Sequence, residues 1–120
     1  MPESFKKLIA WQRALQLTVE VYRLTSSFPE SERFGLTNQL RRAAVSVGSN
    51  IAEGYGRTSR GEYVQFPGHA RGSSYEVETQ LAIVRELGFG TTQSIEKTGQ
   101  LCVEVSRMLA AMVVGLRKKD

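Results

Sequence analysis

One stretch limits the possible folds more than any other: Leu36-Thr-Asn-Gln-Leu-Arg-Arg-Ala-Ala-Val-Ser-Val-Gly-Ser-Asn-Ile-Ala-Glu-Gly-Tyr-Gly-Arg57. The stripe Leu36, Leu40, Ala43, Val47, Asn50/Ile51 and Gly54 recurs every three or four residues, the repeat of a helix with one buried side. Small and polar residues run into that stripe, which points to close packing by neighbouring helices. Gly54-Tyr-Gly56 supplies a stop. A helix of this kind needs partners, and the rest of the chain provides them.

Three further segments share the spacing. The first, about residues 4–26, has the stripe Ala10, Ala14, Leu17, Val21 and Leu24. A second seam of Leu8, Trp11, Leu15 and Tyr22 lies beside it, broad enough to meet more than one neighbour. Phe28-Pro29 ends this helix, because the residue before proline leaves the helical region. With the second helix at about 36–55, the third spans about 59–87, with Ser59 and Glu62 in capping-box position. Its stripe is Tyr63, Phe66, Ala70, Ser73, Val77, Leu81 and Val84, ending at Leu87-Gly88. The fourth, about 92–117, is capped by Thr91 or Thr92 and carries Ile95, Cys102, Val105, Leu109, Met112 and Leu116. Short connections force consecutive helices antiparallel. The expected fold is therefore all-α, an up-down-up-down four-helix bundle forming a single domain over 1–120.

Pro67-Gly68 interrupts the third pattern and predicts a kink or break near Phe66. Asn50 falls on the apolar stripe, where an amide must be hydrogen-bonded. Antiparallel register brings it near Pro67, so it is expected to donate to the Tyr63 carbonyl that proline leaves without a partner. Gly72-Ser73-Ser74 is expected to let two helices approach.

The chain carries 16 Lys and Arg against 12 Asp and Glu, a formal net charge of +4. The excess is local. From Leu36 to Tyr75 there are five arginines, Arg41, Arg42, Arg57, Arg60 and Arg71, and two glutamates. Arginine's planar fork suits phosphate, so these five are the candidate nucleic-acid-binding residues. The competing reading is internal pairing: Glu53 stands four residues before Arg57, the favourable order on a helix.

Catalytic chemistry is not evident. Cys102 is the only cysteine and His69 the only histidine, and antiparallel register holds them apart. Neither metal-ligand spacing nor a nucleophile–base pair occurs, and no cofactor is expected. The glycines at 54 and 56 lack a preceding strand and a GxxxxGK[ST] pattern. Met1–Lys7 has no apolar segment, and no run is long enough to span a bilayer, so a cytoplasmic protein without membrane contact is expected.

The segments Leu8-Ile-Ala-Trp-Gln-Arg-Ala-Leu15, 28–47, Ser49-Asn-Ile-Ala-Glu-Gly-Tyr-Gly-Arg57 and Ala70-Arg-Gly-Ser-Ser-Tyr-Glu-Val-Glu-Thr-Gln-Leu81 carry a resemblance. The chain resembles the bacterial four-helix-bundle family first known from proteins encoded in intervening sequences of 23S ribosomal RNA genes. That resemblance implies a homo-oligomeric ring, a pentamer, with a nucleic-acid role and no enzymatic activity. A related branch serves as an accessory protein to a reverse transcriptase in retroelements. The motif residues it would carry over are Arg41, Arg42, Asn50, Glu53 and Arg57, with Asn50 and Glu53 as structural polar groups. Pro67-Gly68 departs from the family's unbroken third helix.

The functional expectation is a non-enzymatic, oligomeric module that binds structured RNA or DNA through arginines. The alternative is an oligomeric protein-binding scaffold or accessory factor with no nucleic-acid contact.

Overall fold

The apolar stripes are buried against one another. The computed structural model describes residues 4–56 and 60–118, with side chains for 4–56 and 66–115. Four α-helices make up most of these residues: α1 Ile9–Thr25, α2 Leu36–Tyr55, α3 Arg60–Leu87 and α4 Thr92–Lys118. Each packs antiparallel on its sequence neighbours and α4 closes on α1, giving a bundle of 46 × 21 × 20 Å. Among the described residues there is no strand.

The core runs as one seam along the bundle. Leu17, Val21, Leu24, Leu40, Val77, Val84 and Cys102 pack in one half, and Ala14, Val47, Ala70, Val105 and Leu109 in the other. Ion pairs join α1 to α4: Arg13 Nε meets Glu104 at 2.8 Å, and Lys97 reaches the nearly buried Glu20 carboxylate at 3.2 Å.

Helix ends follow local chemistry. Thr91 Oγ1 accepts from the Ser94 N–H, so Thr91 caps α4. Gly88, at φ +74°, ends α3 in the left-handed conformation, and the Phe89 N–H closes back on Val84 O. The Phe89 ring then meets Phe28 at 5.6 Å between centroids. At the N-terminus the expected helix is divided. A 3-10 turn, Phe5–Lys7, precedes an extended Leu8, and Phe5 edges onto Trp11 at 5.3 Å.

Three expectations need correction. The expected break does not occur: helix α3 runs continuously through Pro67, whose ring is fully buried. Asn50 does not serve the backbone opposite Pro67. Both described bonds of its Nδ2 go to Ser46 of its own helix, to O at 2.8 Å and to Oγ at 3.0 Å. It is half-buried beside the stripe, and Ile51 takes the core position at that level. Gly72 faces open space, and the close approach belongs to the serines after it. Ser73 Oγ meets Ser46 Oγ at 2.9 Å across α2 and α3, and Ser74 Oγ meets Ser106 Oγ at 2.8 Å across α3 and α4. The proposed Ser59 cap lies outside the described residues.

Candidate nucleic-acid interface

The arginine doublet divides between two surfaces. Successive helical residues are about 100° apart, so with Leu40 and Ala43 buried, Arg41 and Arg42 leave the core on different sides. Arg41 turns to α1. Its Nε donates to Thr25 Oγ1 at 2.8 Å, and its guanidinium lies 4.5 Å from the centre of the Tyr22 ring. Arg42 turns outward and is exposed.

Arg42 forms a ridge between two shallow clefts. The one between α2 and α3, about 290 Å³, is walled by Asn38, Gln39, Ser46, Ser73, Glu76 and Gln80. Gln80 Oε1 is buried there without a hydrogen-bond partner. The other cleft, towards α1, is walled by Tyr22, Arg41 and Val45. Neither Asp nor Glu occurs between residues 36 and 52, so the carboxylates near this part of α2 come from outside it: Glu32, which accepts from the Leu36 N–H at 3.1 Å, and Glu76 on the far wall of the cleft.

Arg71 does not share a face with this ridge. Ser73 contacts α2 and Ser74 contacts α4. Arg71 stands one helical turn before Ser74, on the α4 side, where its guanidinium lies 5.5 Å from the Tyr75 ring centre. Arg57 lies outside the described residues, as does the side chain of Arg60, whose backbone opens α3. Glu53 is on the exposed side of α2.

Cys102 is fully buried and donates to Ser74 O at 3.2 Å. Burial, and secondarily the nearby Glu78 carboxylate, pushes its pKa up to about 12, so the thiol stays protonated. His69 is exposed on α3, its ring edge on Phe66. Among the described residues no group of three His, Cys, Asp or Glu could hold a metal ion, and no helix is long and apolar enough to cross a membrane.

Two features were not anticipated from the sequence. One is the Arg41–Thr25 bond, whose only advance signal was the position of Arg41 beside Leu40 in the stripe. The other is Glu20, nearly buried on α1 and held by Arg23 at 2.8 Å and by Lys97. Nothing in the local spacing marked it.

The geometry defines an antiparallel all-α four-helix bundle with an arginine-bearing ridge on α2. The chain belongs to the 23S rRNA-intervening sequence protein family, whose family model matches residues 6–111. The bundle is similar to the crystal structure of a protein of unknown function from the S23 ribosomal protein family of Bacteroides thetaiotaomicron. The two share 20% identity and a TM-score of 0.78, over 88% of this chain and 98% of that one. Comparison with curated proteins finds no match.

Proposed function

We propose that this protein is a non-enzymatic, self-assembling module that binds structured RNA, with Arg42 at the centre of the contact. One observation carries this reading: Arg42 is exposed on a helix whose first four turns hold two arginines and no acid. Around it, Asn38, Gln39 and Ser46 supply uncharged donors that suit phosphate and sugar oxygens. Arg41 contributes charge from its clasp on α1, and Arg57, Arg60 and Arg71 are secondary candidates. A pentameric ring would repeat a modest patch and raise avidity without new contacts. The lone buried cysteine accords with a reducing, cytoplasmic setting.

The test is fluorescence anisotropy on a hairpin RNA at about 50 and about 200 mM salt. Binding that weakens steeply with salt is expected. Arg42→Ala should lower both the affinity and the salt slope, by about one unit of slope per engaged subunit. No binding at low salt, or an unchanged slope in Arg42→Ala, defeats the reading.

A second reading, a scaffold or an accessory factor such as the reverse-transcriptase partners of the related branch, is favoured by apolar side chains left exposed on α1. It expects protein capture and no RNA at low salt.

A further inference from the structure

A surface that holds RNA by charge alone gains nothing from a carboxylate, yet the α2/α3 cleft beside Arg42 carries one. The Ser46–Ser73 contact sets the register of these two antiparallel helices. One turn along, Arg42 on α2 stands level with Glu76 on α3, and one turn further Gln39 stands level with Gln80. Arg42 and Glu76 are exposed, and among the described residues no ion pair joins them. Opposite charges on facing walls thus stay apart, with a cleft of about 290 Å³ between them.

Each wall has its own chemistry. The α3 wall offers acceptors: the Glu76 carboxylate, and the Gln80 Oε1 that is buried without a hydrogen-bond partner. The terminal torsion of glutamine is soft, so a ligand N–H can draw that oxygen into the cleft. The α2 wall offers N–H donors from Asn38, Gln39 and Arg42. A complementary ligand is small and flat, with donors along one edge and acceptors along another.

Among the nucleobases guanine has that asymmetry. Its N1–H and N2 amino group lie side by side on the pairing edge, and O6 and N7 are both acceptors on the next edge. A carboxylate takes N1–H and one N2 hydrogen through two parallel bonds, as it takes a guanidinium. The second N2 hydrogen is left for Gln80 Oε1, and O6 and N7 turn to the α2 wall. Adenine, cytosine and uracil each set an acceptor beside a donor on the pairing edge, which Glu76 repels. In a stem that edge is taken by the opposite base, so the guanine must be unpaired.

We propose that the α2/α3 cleft receives one unpaired guanine of a structured RNA, with Glu76 and Gln80 reading its pairing edge. Arg42, at the mouth, holds the RNA backbone, and Glu76 makes the contact selective. This rests on the RNA binding proposed above and adds the base that is read and the residues that read it.

The test is fluorescence anisotropy at about 50 mM salt on hairpins that share one stem. Each has a loop of uridines with guanosine, adenosine or inosine at its centre. The guanosine hairpin should bind about tenfold or more tighter than the adenosine or all-uridine ones, the discrimination of one bidentate contact. Inosine lacks the N2 amino group and should lose most of that margin, a readout that leaves the protein untouched. Glu76→Ala, at an exposed helical position, should keep its far-ultraviolet circular dichroism. It should bring the hairpins to within about threefold of one another, because guanosine loses its partner and the other loops lose a repulsion. Hairpins that bind wild type equally, inosine that matches guanosine, or a preference that survives Glu76→Ala overturns this inference and leaves RNA binding through Arg42 standing. No binding of any hairpin overturns both.

Discussion

Arg41 and Thr25 fasten α2 to the last turn of α1: the guanidinium Nε donates to the threonine hydroxyl at 2.8 Å, while that hydroxyl donates to Val21 O at 2.8 Å. Its neighbour Arg42 has no such anchor. Adjacent residues of one charge therefore have separate physical roles. Arg41→Ala should lower stability by about 1–2 kcal/mol in urea unfolding, from the lost charge-assisted bond and the lost stacking on Tyr22. Arg41→Lys should recover little of this, because an ammonium neither stacks as a plane nor keeps the fork. Arg42→Ala should fall within about 0.5 kcal/mol of wild type. Equal effects of the two alanine variants would contradict the division.

The buried serine pair has a donor and an acceptor. Ser74 Oγ gives its hydrogen to Arg71 O at 2.7 Å, so in the 2.8 Å contact Ser106 must donate. Ser74→Ala then strands a buried O–H and should cost about 1–3 kcal/mol. Ser106→Ala strands only an acceptor lone pair and should cost less. The double variant should cost less than the sum of the two. Unfolding midpoints of the three variants decide the matter, and the reverse order for the single variants would reverse the assigned direction.

The Cys102 thiol should make stability fall in alkaline solution. Its pKa is raised from 9.0 to about 12 on folding, so below pH 9 both states hold the proton and the thiol adds no pH dependence. Above pH 9 the unfolded chain loses the proton first, and stability should drop by up to about 1.4 kcal/mol per pH unit until the folded thiol titrates. The measurement is the difference between wild type and Cys102→Ala in urea midpoints at about pH 8 and about pH 10. A difference that does not change with pH would refute it.

Gly88 and Gly90 both adopt the left-handed region, at φ +74° and +73°, yet they should respond differently to a methyl group. A Cβ on Gly88 meets nothing within 4 Å, whereas on Gly90 it would lie 2.6 Å from Leu24 Cδ1. Gly88→Ala should cost about 1–2 kcal/mol, the conformational term alone. Gly90→Ala adds a clash with the buried Leu24 side chain, a further cost of about 1–3 kcal/mol. Thermal unfolding of the pair checks the ranking.

Much of the fold was legible because burial imposes a period. Ala10, Ala14, Leu17, Val21 and Leu24 all read as one stripe and all are buried. Leu87-Gly88 and Thr91 mark helix ends by local chemistry, which a sequence displays directly. Pro67 misled because its penalty is local while the packing that offsets it comes from neighbouring helices. Asn50 misled for the converse reason: a partner one turn away on its own helix outcompeted one across the bundle. The doublet was visible, but its division was not, since that depended on where Thr25 and Tyr22 of another helix came to lie. Leu15 and Tyr22 read as a second apolar seam, and the bundle leaves both exposed.

The hydroxyl contacts between helices have one more consequence. Sliding α4 by one turn, about 5.4 Å, against α3 would carry Ser106 out of reach of Ser74 and leave its hydrogen facing hydrocarbon. Leucine and valine surfaces tolerate such a slip far better, for one greasy contour resembles the next. The serines thus act as vernier marks on otherwise smooth rods, fixing how far along its neighbour each one stops.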